Sequence, residues 1–265
     1  MKTIILTGAS GYVGGYLYNE LGHIYNVIPC CRENGIDLTK EGVVDTILER
    51  VNGHVFAIIN LACITAKPEN LTDISVLTEN IKIAYNISQI AKIIGVHKLL
   101  NFSSISVYPC SNGEFDETSP IDPSINADAL YGISKYNTEA ILNYYLKKSL
   151  CKILHLRVSN IYSYNYLPQK GIIKEFMDGL TTENRICIWG GGQKSINLMS
   201  LETLLNKIVY FIENDRVGVL NLNERTISYL ELANEIITEF GNKQSKVEMK
   251  NKMEDILFKI KSVYE

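Results

Sequence analysis

The 265-residue sequence holds one tryptophan and six prolines, too few for a collagen-like repeat or a proline-rich linker. Its six cysteines (Cys30, Cys31, Cys63, Cys110, Cys151, Cys187) include no C-x-x-C pair, and its four histidines (His23, His54, His97, His155) include no H-x-x-x-H pair. Zinc-site spacing is thus missing, and no metal site is expected. An excess of charge is missing too. Lys plus Arg is 26 and Asp plus Glu is 29, a net charge of -3, so there is no basic footprint for nucleic acid or an anionic membrane. No apolar run is long enough to span a bilayer. The opening MKTIILTGASG has one Lys and a brief apolar stretch ended by turn residues, too short for a signal peptide. Several cysteines lie in apolar, strand-like runs, which predicts reduced thiols and a cytoplasmic protein. With 46% hydrophobic and 21% charged residues, a chain of this length can bury its own core, which excludes a disordered chain.

Apolar, β-branched runs alternate with segments of helical period. Strands are expected at Lys2–Thr7, Asn26–Cys31, Val55–Leu61, Lys98–Ser103 and Lys152–Arg157, and helices at Tyr12–Leu21, Lys40–Val51, Asp73–Ile94 and Ala129–Lys148. In the third of these helices Ile74, Leu77, Ile81, Tyr85, Ile87, Ile90 and Ile94 fall near one face. Continuous apolar strands separated by helices predict an α/β fold with a parallel sheet covered on both faces. The alternation weakens after about residue 160. There the pattern gives helices at Ile172–Leu180, Leu201–Glu213 and Ser228–Phe240, strands at Arg185–Ile188 and Gly218–Leu222, and an exposed helix in the charged tail Lys243–Glu265.

Between the first strand and the first helix lies Thr7-Gly8-Ala9-Ser10-Gly11-Tyr12-Val13-Gly14. Gly8 permits the tight turn, Gly11 lets the backbone approach a pyrophosphate, and Gly14 lets the helix close on the strand. The helix N-terminus offers free N–H groups and a positive dipole end to the phosphates. Gly8, Ser10, Gly11, Tyr12, Val13 and Gly14 are therefore expected to bind a dinucleotide cofactor.

This turn resembles the T-G-x-x-G-x-x-G fingerprint of extended short-chain dehydrogenases/reductases, the NAD-dependent epimerase/dehydratase group that modifies nucleotide sugars. Downstream segments share the resemblance. Asp37-Leu38-Thr39 is similar to the acidic segment that contacts adenine. Asn60-Leu61-Ala62 matches the N/H-x-A motif, and Asn80 matches the family's helix asparagine. Ser103-Ser104-Ile105-Ser106-Val107-Tyr108 resembles S-S-x-x-V-Y, Tyr131-Gly132-Ile133-Ser134-Lys135 resembles the catalytic Y-x-x-x-K, and Arg157-Val158-Ser159-Asn160 resembles the R-x-x-N turn. The resemblance implies a Rossmann-type doubly wound parallel sheet, with residues 1–160 as the NAD(P)-binding domain and 161–265 as a small α/β substrate-binding lobe. It implies Ser104, Tyr131 and Lys135 as catalytic residues. Arg32, Asp37, Leu38, Leu61, Ala62 and Asn80 would join Tyr131 and Lys135 on the cofactor, with Ser106 and Asn160 on the substrate. It also implies a homodimer through the helices at Asp73–Ile94 and Ala129–Lys148.

Y-x-x-x-K occurs three times, at Tyr131/Lys135, Tyr144/Lys148 and Tyr166/Lys170. Only Tyr131 follows the serine motif at a suitable distance and opens a helix. Tyr144 lies further along that helix, and Pro168 interrupts the third pair. Residues i and i+4 share a helix face, so Lys135 stands beside Tyr131. A phenol of pKa near 10 is a poor proton shuttle at neutral pH. An ammonium about 4 Å away stabilises the phenolate by roughly 4 kcal/mol at an effective dielectric of 20, on the order of three pKa units before desolvation opposes it.

Cofactor preference is set where the second strand ends. NAD users place Asp or Glu there. Here the strand ends Pro29-Cys30-Cys31-Arg32, and Arg32 suits a 2′-phosphate, so NADP is expected, with NAD the alternative. Family 4,6-dehydratases carry an Asp-Glu pair after the catalytic hydroxyl residue. Ile105 and Ser106 occupy those positions here, which disfavours dehydration and leaves an epimerase or a ketoreductase acting at a hydroxyl or keto carbon, C4, of a nucleotide sugar. One departure stands out. The family's R-D pair after the second glycine-rich turn falls on Ile196 and Asn197, so the pyrophosphate clamp is either missing or supplied elsewhere, by Lys194 or Lys174. The rival readings are a reductase of a ketone without a nucleotide and a catalytically silent NADP-binding regulator. The loop Pro109–Asn126, rich in Ser, Asp and Pro, reads either as a flexible wall of the substrate cleft or as an inert surface loop.

Overall fold

The computed structural model describes residues 1–65, 67–168, 170–250 and 254–264. Its first half runs β1 (Thr3–Thr7), α1 (Tyr12–Leu21), β2 (Asn26–Cys30), α2 (Val43–Arg50), β3 (Val55–Asn60), α3 (Ser75–Ile94), β4 (Lys98–Ser104), β5 (Gly113–Phe115), α4 (Ala129–Leu146) and β6 (Lys152–Val158). There follow β7 (Asn160–Tyr162), α5 (Ile172–Glu183), β8 (Arg185–Trp189), β9 (Ser195–Ser200), α6 (Leu201–Glu213), β10 (Gly218–Leu222), β11 (Arg225–Ser228), α7 (Tyr229–Phe240), β12 (Lys246–Lys250) and β13 (Phe258–Ile260).

Six strands form one parallel sheet in the order β10-β6-β4-β3-β1-β2. Alternate residues of β1 serve opposite cores. Ile4 and Leu6 meet Leu17 and Leu21 of α1 and Leu204 and Ile208 of α6. Ile5 joins Val43 and Ile47 of α2, Ile83 and Ile87 of α3, and Leu142 of α4. Burial on both faces explains the unbroken apolar runs. This is a Rossmann-type doubly wound sheet. The winding reverses between β1 and β3, which opens a crevice at the carboxyl ends of those strands.

β6 ends at Val158, and β7 belongs to a second sheet, β11-β9-β7. Afterwards α6 and β10 return to the first sheet. The remaining elements pack a separate cluster in which Phe176 of α5, Ile186 of β8 and Leu232 of α7 are buried.

Two expectations are corrected. The tail is strand, not exposed helix: β12 pairs in parallel with β8, and β13 with β5. Ile260 is buried, and Phe258 packs on Phe115 with ring centres 5.2 Å apart. Residues 251–253 and 265 of that expected helix lie outside the described residues. The face of α3 is also different. Ile74, Ile81 and Tyr85 are exposed, whereas Val76, Asn80, Ile83, Ala84, Ile87, Ile90 and Ala91 are buried, because small residues let α3 lie close to its neighbours. Among the described residues no helix is long and apolar enough to cross a membrane.

Beside the buried Leu142 and Leu146, α4 turns polar groups to the sheet. Lys135, Glu139 and Asn143 stand at i, i+4 and i+8, and each bonds to the sheet. Lys135 Nζ donates to the Phe102 carbonyl at 2.7 Å. Glu139 accepts from Arg157 Nε at 3.1 Å and Nη2 at 2.9 Å, and from the Ser103 hydroxyl. Asn143 Oδ1 lies 3.1 Å from His155 Nε2. That last contact ends a file of side chains crossing four strands at one register position. Thr7 Oγ1 donates to Asn60 Oδ1 at 2.8 Å, Asn60 Nδ2 to Asn101 Oδ1 at 2.9 Å, and Asn101 Nδ2 faces His155 Nδ1 at 3.1 Å. The file holds His155 as the neutral ring, with Nδ1 accepting and Nε2–H donating.

Burial, more than the opposing field of Glu139, pushes the His155 pKa from 6.5 down to about 4. Between those values the unfolded chain binds the extra proton, so stability is complete above pH 6.5 and falls as pH drops. The expected loss between pH 7 and pH 5 is about 2 kcal/mol, read by urea unfolding. His155→Gln should flatten that slope. A flat wild-type profile over this range would show that the ring is not held neutral.

Candidate active site

β1 delivers the chain to Gly8, whose φ of +68° demands glycine. A Cβ on Gly14 would stand 2.0 Å from the Gly8 carbonyl oxygen, so only glycine lets α1 start this close to the turn. Gly11 is the N-cap of α1, and no side chain caps the helix, which leaves the first-turn amides for a ligand. These features open on a cleft of about 600 Å³. The bare glycine cradle and the uncapped helix fit the pyrophosphate of a dinucleotide.

The cleft is lined by Gly8, Ser10, Gly11, Tyr12, Val13 and Gly14 at one wall, by Arg32, Asp37 and Leu38 at one end, and by Leu61 and Ala62 behind. Ser104, Ser106, Tyr131, Lys135 and Asn160 line the opposite end. Asn80 does not line it. It is buried, donating to the Ile64 carbonyl at 2.9 Å and accepting from the Ile64 amide at 2.7 Å, and so holds the loop after β3 from behind. Ser134 Oγ accepts from its Nδ2 at 2.9 Å, tying the same loop to α4.

At the far end, Asp37 accepts from the Thr39 amide at 3.0 Å and hydroxyl at 2.7 Å, and Arg32 Nε lies 3.4 Å from its second oxygen. Burial raises the Asp37 pKa, but the Thr39 bonds, Arg32 and Lys40 bring it below the usual range. The Arg32 side chain is 62% exposed, so this surface pair is worth under about 1 kcal/mol and leaves the guanidinium free to turn. No carboxylate ends β2.

Ser104 Oγ accepts from the Ser106 amide at 3.1 Å and so caps a short turn. Tyr131 differs from expectation. Its phenol is held well above the ordinary range, first by burial, then by Cys63 and Asp128 beside it, with Ser104 opposing. Lys135 Nζ stands 5.6 Å from the Tyr131 ring centre and is spent on the Phe102 carbonyl. Desolvation therefore outweighs the ammonium. Of the rival pairs, Tyr166 stacks on Tyr12 with ring centres 5.3 Å apart, and Tyr144 is exposed under Lys147.

Cys63 and Asp128 were missed in the sequence. Cys63 follows Asn60-Leu61-Ala62 directly, and Asp128 stands one helical turn before Tyr131. Either spacing was a usable signal. A second cavity of about 350 Å³ adjoins the cleft, sharing Ser104, Ser106, Asp128 and Asn160. Lys194 lines it, with Nζ 5.3 Å above the Tyr229 ring centre, whereas Lys174 pairs with Asp178. Ile196 is buried, and Asn197 spends its side chain on Phe258, Ile260 and Thr226. The loop from Pro109 to Asn126 contains β5 and lends Cys110 and Asn126 to this cavity.

Residues 4–222 match the model of the NAD dependent epimerase/dehydratase family. The chain belongs to that family. CDP-abequose synthase of Yersinia pseudotuberculosis is 25% identical over 224 residues, 80% of this chain and 74% of that protein. UDP-glucuronic acid decarboxylase 1 of Arabidopsis thaliana is 24% identical over 272 residues, 93% of this chain but 60% of that longer protein. Among solved structures, dTDP-4-dehydrorhamnose reductase of Yersinia enterocolitica superposes with a TM-score of 0.82 at 20% identity, covering 100% of this chain and 91% of that one. At that identity the likeness is one of fold, and this epimerase/dehydratase family member shares it along its whole described length.

In Gly14→Ala the new methyl meets backbone, not a flexible side chain. The expected cost is about 1–3 kcal/mol in thermal or urea unfolding, with loss of the fluorescence response to NADPH and NADH. A variant that still binds either with unchanged affinity would show that the cradle lies elsewhere.

Proposed function

We propose that this protein is an NAD(P)-dependent oxidoreductase that transfers hydride at a hydroxyl or keto carbon, C4, of a nucleotide sugar, as a ketoreductase or an epimerase. The observation that carries this reading is the convergence of Ser104, Tyr131 and Lys135 on one end of a cleft whose other wall is the glycine cradle. When bound there, the nicotinamide dinucleotide would deliver or accept the hydride. Ser104 orients the substrate oxygen toward Tyr131. Tyr131 donates the proton to that oxygen on reduction and takes it back on oxidation. Its raised pKa keeps the phenol protonated, the form needed for donation, and Lys135, anchored on the Phe102 carbonyl, stands beside the ring. Ser106 and Asn160 face the sugar. Lys194 supplies the cation for the nucleotide's pyrophosphate, since Ile196 is buried and Asn197 is engaged. Dehydration is left out, because Ile105 is apolar and turned into the core.

The elements after residue 160 other than α6 and β10 form the substrate lobe in this reading. The preferred cofactor is NADP, supported by Arg32 and by the lack of a carboxylate at the end of β2. The outer faces of α3 and α4, with exposed Ile81, Tyr85 and Tyr144, suit a homodimer.

Tyr131→Phe should keep NADPH binding and lose roughly a hundredfold or more in turnover, the scale of a general acid. Full activity in that variant would refute its role. Arg32→Ser should lower the preference for NADPH over NADH by roughly tenfold, the worth of a charged hydrogen bond at about 1.5 kcal/mol. Equal wild-type affinity for the two would remove the role of Arg32. Melting shifts with UDP-, GDP-, CDP- and dTDP-sugars test the substrate class. A response to none of them would favour the ketone reductase or the silent regulator.

A further inference from the structure

Asp128 occupies the N-cap of α4 without doing the usual work of a capping carboxylate: no side-chain bond closes the helix start. The amides of Tyr131 and Gly132 go to its backbone carbonyl instead. Its carboxylate turns toward Ser106, whose hydroxyl donates to Oδ2 at 3.1 Å. Among the described residues Ser106 is its one side-chain partner, and no cationic side chain lies within ion-pair range. Asp128 also lines both the cleft that holds Tyr131 and the adjoining cavity, so it stands where the two meet.

Ser106 spends its proton on Asp128, which leaves its oxygen free only to accept. The pair therefore presents acceptors alone to whatever enters the second cavity beside Tyr131. A ligand group placed there must donate. A hydroxyl or an amine satisfies the pair, and a carboxylate does not, since it brings no proton and sets a second negative charge beside Asp128, which pairs with no cationic side chain among the described residues.

We propose that Asp128, with Ser106, selects the sugar: it accepts from a hydroxyl or amine and rejects nucleotide sugars whose sugar carries a carboxylate. This rests on the nucleotide-sugar reading above and narrows it to neutral or amino sugars. Selection works by repulsion as much as by attraction.

The test measures binding by calorimetry in saturating NADPH. UDP-, dTDP-, CDP- and GDP-hexoses are each paired with the uronate in which C6 is oxidised to a carboxylate. Wild type should bind the neutral member of a pair about tenfold or more tightly than its uronate. Asp128→Asn and Asp128→Ser both keep residues suited to an N-cap, so the fold should persist, checked by the melting temperature. Both should shrink the neutral-to-uronate ratio to within about threefold, chiefly by improving uronate binding. A ratio unchanged in both variants, or a uronate bound by wild type as well as its neutral partner, overturns the assignment of Asp128 and leaves the function standing. Failure of every nucleotide sugar to bind while NADPH does overturns the function, and this inference with it.

Discussion

The helix that carries Tyr131 is held down by charge and hydrogen bonding as well as by the buried Leu142 and Leu146. Lys135, Glu139 and Asn143 face the sheet one turn apart, and each is committed to a different acceptor or donor there. Lys135 and Glu139 are buried, and buried groups of this kind tolerate one register. A slip of α4 by a single residue would leave the Arg157 guanidinium and Glu139 carboxylate unpaired in the interior, at a cost of about 3–5 kcal/mol for a broken pair. Apolar packing discriminates far less sharply between neighbouring registers. The polar stripe thus fixes where Tyr131 and Lys135 project, and their end of the cleft inherits its geometry from contacts deeper in the molecule.

The same logic extends across the sheet. The file from Thr7 to Asn143 runs in one direction, each donor facing the next acceptor, and it crosses the strands on both sides of the point where the winding reverses. Thr7 Oγ1 also accepts from the Ala62 amide at 3.2 Å, so the loops after β1 and β3 are tied together beneath the crevice. Asn80 and Ser134 extend the tie to α3 and α4. The floor of the cleft is therefore a hydrogen-bonded raft, and the glycine cradle rests on it.

Much of this was legible in the sequence. The strands of the parallel sheet announce themselves because burial on both faces forces unbroken apolar runs. The turn from Gly8 to Gly14 is readable because its backbone admits nothing larger. Tyr131 was separable from Tyr144 and Tyr166 by what precedes each. Less legible were effects that depend on who sits opposite. Lys135 was expected to make its neighbour acidic, yet desolvation wins, and desolvation is a property of the assembled cleft. Asn80 carries a motif position but turns its amide to the Ile64 backbone. Asp128 and Cys63 sit next to readable motifs, but the assembled cleft is what sets them beside Tyr131. The tail reads as a charged helix until β5 and β8 offer it edges, because a strand of three to five residues has too short a period to declare itself.

β13 has a consequence for how the molecule comes together. Glu117 accepts from the Ser262 hydroxyl and the Val263 amide, and Asn197 accepts from the Ile260 amide, contacts that span 145, 146 and 63 positions of chain. Phe258 and Ile256 wall the second cavity. Closing loops of that length is entropically slow compared with winding β1, α1 and β2. The turn from β1 to α1 is thus made by near neighbours along the chain, whereas the wall of the second cavity exists only where a distant segment has returned to seal it.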